Sequence, residues 1–353
     1  MTRKTLTLKT RPGLPEPKRP WGYNPAPQEK LPLSRIQAIP NPAYATNARG
    51  LAWVKAVVTT TKPGITRLVT ITAMVGFVLG AWFGGADSLA HLLRLGTIVA
   101  IGTYMSAAGA NALNQWWESQ RDAMMKRTAG RPIPAGLLPS HTVLKIGMLF
   151  ALGGTGILLL AGPVPAIIGL SCTISYVLIY TPLKTRSAWC TLIGAVPGAL
   201  PPLIGWTAAS GGWNFADMLA PGAQALFWLM MVWQIPHFMA IAWMYRKDYA
   251  DGGMRMLPVI DPAGRATAFV VVFTSILLIP ATLAPALAMP KLVGLVYPVV
   301  AIISGSWFLW MSFRLARNRT DAMARRLFFA SIAHLPLLLM VLMGEAFVRA
   351  VVL

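Results

Sequence analysis

Asn114, Glu118 and Asp122 recur at four-residue intervals in the run Asn114-Gln-Trp-Trp-Glu118-Ser-Gln-Arg-Asp122. On a helix turning about 100° per residue they fall at about 0°, 40° and 80°, so one face presents an amide and two carboxylates. Oxygen donors in that array suit a hard divalent cation. Mg²⁺ takes one or two carboxylates and completes its shell with water and substrate phosphate oxygens. The run that follows, Lys126-Arg127-Thr128-Ala-Gly-Arg131-Pro132, supplies cationic groups able to hold phosphate oxygens by charge-assisted hydrogen bonds. Arg121 and Lys126 read equally well as the basic flank of a membrane-spanning helix.

A second group runs from His237 through Tyr245 and Asp248 to Asp251. If one helix continues through it, Asp248 lies about 20° from His237 and Asp251 about 40° to the other side, so all three share a face. Two carboxylate faces opposed across a bundle could hold two Mg²⁺ around a diphosphate, the clamp expected where a departing oxyanion must be neutralised. Asp251 also reads as an ordinary loop acid. A third cationic stretch, Tyr180-Thr-Pro-Leu-Lys184-Thr-Arg186, offers either a topology anchor or a further phosphate contact.

The elements that must position these residues are apolar. The chain has 353 residues, 56% of them hydrophobic and only 12% charged, whereas soluble domains carry about 25% charged residues. Nine apolar segments, each near the ~20 residues that cross a bilayer, lie at about 66–86, 92–114, 142–161, 163–180, 189–208, 223–244, 267–287, 292–313 and 327–347. An all-α integral membrane fold follows, and the two motif regions, four helices apart, suggest two four-helix pseudo-repeats plus a ninth helix. The net charge of +20 is mostly orientation. Connections after helices two, four, six and eight carry the Lys and Arg, and those after one, three, five and seven hold only Lys291. By the positive-inside rule the even connections and the N-terminus face the cytoplasm or a mitochondrial matrix. Basic residues dispersed between apolar runs exclude a nucleic-acid binder, whose charge would gather on one polar face. A transporter would place polar residues at the midplane, where this chain has almost no charge.

Residues 1–61 form a basic, Pro-rich stretch read as a solvated extension of a polytopic domain at 62–353. Its first fifteen residues are free of acid, as in a mitochondrial presequence, but the prolines interrupt any amphipathic helix. Cys172 and Cys190 exclude a disulfide framework and read as small buried hydrophobes. His334, well inside the ninth segment, is an intramembrane ionisable residue that either serves a ligand or bonds a neighbouring helix. Trp116 and Trp117 fit an aromatic belt at the membrane boundary.

Taken together, these stretches resemble the UbiA-type intramembrane prenyltransferases over about residues 60–347, and within them the branch that farnesylates protoheme IX. The resemblance rests on Asn114-x-x-x-Glu118-x-x-x-Asp122 with Arg127-Thr128-x-x-Arg131-Pro132-x-Pro134-x-Gly136, on Tyr180-Thr-Pro-Leu-Lys184, on the Gly194–Trp206 run, and on Trp233-Gln-Ile-Pro236-His237-Phe238 through Asp248-Tyr249 to Met256-Leu-Pro258-Val259. His237 stands where the quinone and chlorophyll branches carry Asp, Glu118 where the family usually has Asp, and Thr185 interrupts the more usual Lys-Arg pair.

The resemblance implies transfer of farnesyl from farnesyl diphosphate to a vinyl group of protoheme IX (heme b), with addition of water, to give heme O and diphosphate. This is a step towards heme A for terminal oxidases, in a bacterial inner membrane or a mitochondrial inner membrane, with heme A synthase as a possible partner. Asn114, Glu118, Asp122, His237 and Asp248 are then expected to be catalytic. Arg127, Arg131, Tyr180, Lys184, Arg186, Tyr245 and His334 are expected to bind substrate, and Asn114, Glu118, Asp122, Asp248 and Asp251 to hold Mg²⁺. The sibling reading is a prenyltransferase for a quinone or chlorin precursor.

Overall fold

Helices begin where the sequence supplies a cap or a proline that tolerates the first turn. The computed structural model of the protein describes residues 49–84 and 88–352. Within them α1 is Leu51–Thr60, and Pro63 opens α2, Pro63–Gly84. Ser88 caps α3, Leu89–Met124, its hydroxyl accepting from the His91 N–H at 3.4 Å. α4 spans Ser140–Ala161 with a tightened last turn, α5 Pro163–Leu183 and α6 Cys190–Ala209, broken at Leu200. α7 is Pro221–Met244, α8 Arg246–Asp251, α9 Leu257–Ile260, α10 Arg265–Ala288, α11 Val296–Arg317 and α12 Asp321–Phe347. Nine helices among the described residues are long and apolar enough to cross a membrane, as the hydropathy pattern requires.

Close packing comes from small residues, as expected where lipid supplies no hydrophobic drive for helix association. Gly102, Ser106 and Gly109 on α3 face Gly154, Ala151 and Gly147 on α4, and a Cβ on Gly109 would sit 2.2 Å from the Ala151 nitrogen. α2 meets α6 in the same way, a Cβ on Gly205 falling 1.8 Å from the Ala73 carbonyl oxygen. The main buried apolar cluster runs from Leu79 and Trp206 through Leu229 and Leu278 to Phe308 and Leu338, and α12 closes the bundle against α7, α11 and α2.

Three features differ from the sequence expectation. α3 has 36 residues, about 54 Å at 1.5 Å per residue, so it carries Glu118 and Asp122 inside a helix that outruns the ~30 Å hydrocarbon core. Residues 51–60, expected within a solvated extension, form α1 and are tied to the bundle. Residues 1–48 of that extension lie outside the described residues. The helix carrying His237 ends at Met244, and Tyr245 adopts φ −107°, ψ 20°, before α8 restarts the chain. The face proposed for His237, Asp248 and Asp251 assumed a continuous helix and is corrected accordingly.

Candidate active site

The basic end of α3 is the centre of the site. Asn114, Glu118 and Asp122 are almost fully buried and share one small cavity of about 50 Å³. Its walls add Lys62, Arg127, Arg131, Tyr180, Lys184, Tyr249 and the side chains of Met125, Met254 and Met256. Each oxygen donor on the α3 face has a cation against it. Lys62 Nζ donates to Asn114 Oδ1 at 2.7 Å, Lys184 Nζ to Glu118 Oε1 at 2.8 Å, and Arg131 Nη1 to the two Asp122 oxygens at 2.7 and 2.6 Å.

The cations reach this face from three separate connections, each held by the bundle. Gln115 Nε2 donates to the Thr59 and Thr60 carbonyls at 3.2 and 3.1 Å, and Asn111 donates to the Thr66 hydroxyl at 3.1 Å, fixing the chain on both sides of Lys62. Lys62 itself sits at φ 47°, a left-handed conformation costing roughly 1 kcal/mol that persists only where surroundings over-determine it. The Thr128 hydroxyl donates to the Asp122 carbonyl at 3.0 Å, pinning the loop that carries Arg127 and Arg131 to the end of α3. Ahead of Lys184, residues Ser175–Tyr180 form a π-helical turn, a distortion often found at functional sites. Thr181, the next residue, donates to the Tyr176 carbonyl and accepts from Asn114 Nδ2 at 3.0 Å, which orients the amide with its oxygen toward Lys62. Tyr180 packs on Gly194, where a Cβ would lie 2.5 Å from its ring, and the Lys184 ammonium stands 4.5 Å from the Tyr180 ring centroid.

Burial sets the charge state of Lys62. Desolvation, then the nearby Arg131 and Lys184, lower its pKa to about 7, against the pull of Glu118 and Asp122. For Lys184 burial is again the largest single effect and lowers the pKa, but the Glu118 carboxylate and the neighbouring Tyr176 and Tyr249 together outweigh it and the pKa is raised. The two lysines of one cavity therefore behave oppositely because only one has a carboxylate for its direct partner.

The second motif enters the site differently from its sequence pattern. Tyr249, Met254 and Met256 line the cavity; Asp248 and Asp251 do not. Asp248 Oδ2 accepts from the Arg127 backbone N–H at 3.1 Å, and the Arg127 guanidinium lies 5.0 and 5.6 Å from the Tyr245 and Tyr249 ring centroids. Asp251 and Arg186 are exposed and make no contact with the cavity. His237 lies deeper, its Nδ1 2.6 Å from the Ser331 hydroxyl and its ring stacked between Trp233 and Phe328. His334 is fully buried beside Phe308, with no hydrogen-bond partner for either ring nitrogen among the described residues. Lys62, Thr181 and Tyr249 were given no role from the sequence, although Thr181 and Tyr249 fall within the quoted motifs. For Lys62 the signal was a cation just before the first apolar run, on the same side as the carboxylates, but every basic flank shares that property.

Among the described residues no group of three or more His, Cys, Asp and Glu gathers as a metal cluster. The donors present are two carboxylates and one amide in a single cavity, a hard-oxygen set that fits Mg²⁺, which needs no more than one or two carboxylates from the protein. The two opposed carboxylate pairs expected from sequence are not brought together.

A buried oxygen-donor face surrounded by cations thus stands at one end of a bundle whose described residues include nine helices long and apolar enough to cross a membrane. Residues 69–334 match the UbiA prenyltransferase family, and the chain belongs to that family. It is 41% identical over 288 residues to the protoheme IX farnesyltransferase of Solibacter usitatus, covering 79% of this chain and 94% of that one. Its identity to the protein of the same name from Opitutus terrae is also 41%, over 79% of this chain and 90% of the relative. Among solved structures it is similar in fold to a digeranylgeranylglyceryl phosphate synthase, with a TM-score of 0.67 at 15% identity over 83% of this chain and 98% of that one. It also resembles a UbiA homologue from Archaeoglobus fulgidus bound to DMAPP and Mg²⁺, with a TM-score of 0.51 at 14% identity over 82% and 99% of the two chains. The protein is therefore a multi-pass membrane prenyltransferase.

Proposed function

We propose that the protein transfers the farnesyl group of farnesyl diphosphate to a vinyl group of protoheme IX, giving heme O and diphosphate, as its relatives' names describe. The observation that carries the diphosphate half of this reading is the single cavity in which Asn114, Glu118 and Asp122 face Lys62, Arg131 and Lys184. Mg²⁺ held by Asn114, Glu118 and Asp122 would neutralise charge on the departing diphosphate. Lys62, Arg127, Arg131 and Lys184 bind the remaining phosphate oxygens, the three paired cations turning from their carboxylate or amide partners to do so. Asp248 fixes the Arg127 main chain, and a second ion shared with Asp248 and Asp251 would require that bond to open. The methionines and tyrosines around the cavity keep bulk water from the allylic cation until the vinyl carbon attacks it, and water then adds to the porphyrin side chain. His237, oriented by Ser331 and two aromatic rings, serves the heme side; His334 is a second candidate there.

The basic end of the bundle is assigned to the cytoplasmic side of a bacterial inner membrane, where the product would feed heme A synthesis. Expression in a host lacking heme O, followed by mass and spectra of extracted heme, tests the reading. A farnesylated, hydroxylated heme is expected. Prenylation of a quinone or chlorin precursor without it would transfer the assignment to the sibling branch.

A further inference from the structure

A second, larger hollow opens beside the diphosphate cavity. It has a volume of about 620 Å³, within the roughly 300–1,000 Å³ of small-molecule and cofactor sites, and lies between the end of α7 and the start of α12. Ala322, Arg325, Arg326 and Phe329 line it from α12, spaced i, i+3, i+4 and i+7 and hence on one helix face. Met244 and Tyr245 form the opposite wall. Its one carboxylate, Asp321, is paired with Arg246, whose guanidinium also stacks on Trp243. Arg325 and Arg326 have no ion pair or side-chain hydrogen bond among the described residues, so the groove carries two uncompensated positive charges at its polar rim.

The apolar part of the groove continues inward as aromatic rings. Phe329, 60% exposed, is 5.6 Å from Phe328; Phe328 stacks on His237 at 5.2 Å, and His237 on Trp233 at 4.9 Å. Tyr245 lines this hollow, and the Arg127 that lines the diphosphate cavity stands 5.0 Å from its ring centroid, so one side-chain contact links the two. Two free guanidiniums above an aromatic and thioether surface complement a flat apolar molecule with two carboxylates on one edge.

We propose that this groove seats the porphyrin acceptor, with the two propionates held by Arg325 and Arg326 and the macrocycle lying against Phe329, Met244 and Tyr245. The proposal rests on the protoheme reading above and adds to it a location, a set of residues and an orientation. With the propionate edge at the rim, the vinyl edge is the one directed inward, toward Tyr245 and the Arg127 that stands over it from the diphosphate cavity.

The test is a heme titration of the full-length protein in neutral-lipid nanodiscs, followed in the Soret band, with binding of farnesyl thiodiphosphate measured in parallel. Arg325→Gln/Arg326→Gln should weaken heme binding at least tenfold and leave farnesyl thiodiphosphate binding within twofold of the original protein. Heme dimethyl ester should bind the original protein as poorly as heme binds the double variant, and should lose nothing further on the variant. Undiminished heme binding by the variant, or equal affinity for the ester and the diacid, overturns the proposal; a seat for anionic lipid headgroups alone would give that result. If the variant loses both ligands, Arg325→Lys/Arg326→Lys decides: recovery of heme binding supports the groove, and failure to recover it does not. Arginine-dependent heme binding in a protein that makes no farnesylated heme would leave the groove standing and remove the reaction.

Discussion

Arg131 and Asp122 offer a direct test of how the cavity's charges are balanced. Asp122 is fully buried, and Arg131 Nη1 reaches both of its carboxylate oxygens while its own side chain is 19% exposed. Removing one partner of a buried pair costs about 3–5 kcal/mol because the other charge is left uncompensated. Partial exposure of Arg131, and Lys62 in the same cavity, place Arg131→Met near the lower end, about 3 kcal/mol, or roughly a 150-fold change in the unfolding equilibrium at 1.4 kcal/mol per tenfold. Replacing both charges should cost much less, so Asp122→Asn/Arg131→Met should return to within about 1 kcal/mol of the starting stability. Added Mg²⁺ should stabilise Arg131→Met more than the parent, because the ion supplies the missing positive charge. Thermal and SDS unfolding in detergent, with and without Mg²⁺, measure all three. If Arg131→Met is as stable as the parent, or the double variant is no better than the single one, the carboxylate is not held by this pair and the charge balance described for the cavity is wrong.

Lys62 has a native pKa of about 7 against an ordinary value of 10.5, so between those pH values the folded protein binds fewer protons than the unfolded chain. Its contribution to stability therefore rises with pH across that window, by up to about 1.4 kcal/mol per pH unit. Melting curves of metal-free protein from pH 6 to 10 should show a rise that Lys62→Met lacks; identical pH profiles would contradict the lowered pKa of the buried Lys62. Asn114→Ala or Asp122→Ala should abolish turnover with membrane insertion intact, and retained heme farnesylation would remove these residues from the metal site. Gly194→Ala places a methyl group inside the Tyr180 ring contact and should reduce farnesyl diphosphate affinity while the protein remains folded, as read by binding of the thio analogue. His237→Ala should weaken heme binding more than that of farnesyl thiodiphosphate, and equal loss of both would move His237 into the diphosphate site.

The membrane fold was legible because it rests on quantities that sum along the chain: nine apolar runs, and cations that, Lys291 apart, fall on alternate connections. The α3 face was legible because helical periodicity alone fixes Asn114, Glu118 and Asp122 relative to one another. Extending the same periodicity through His237 and Asp251 failed at Tyr245, where the polar run Tyr-Arg-Lys-Asp contains neither proline nor glycine to mark a break. Lys62 was hidden for another reason. Its place depends on Gln115 and Asn111 holding a connection fifty residues away in sequence, and nothing local separates it from Lys55 or Arg67. Arg325 and Arg326 read only as topology signal until α12 was set beside α7, where one helix face turned out to line a hollow.

The pairing of every oxygen donor on α3 with a cation bears on the end of the proposed reaction as well as its beginning. Diphosphate is a strongly held anion, and a site built only to grip it would be slow to let it go. If the product binds as proposed, the carboxylates of Glu118 and Asp122 and the amide of Asn114 would compete with it for Lys184, Arg131 and Lys62, which they hold in this structure. Re-forming those internal bonds would offset part of the free energy of expelling diphosphate, making the protein a competitor of its own product. Loosening the pairs should tighten product inhibition.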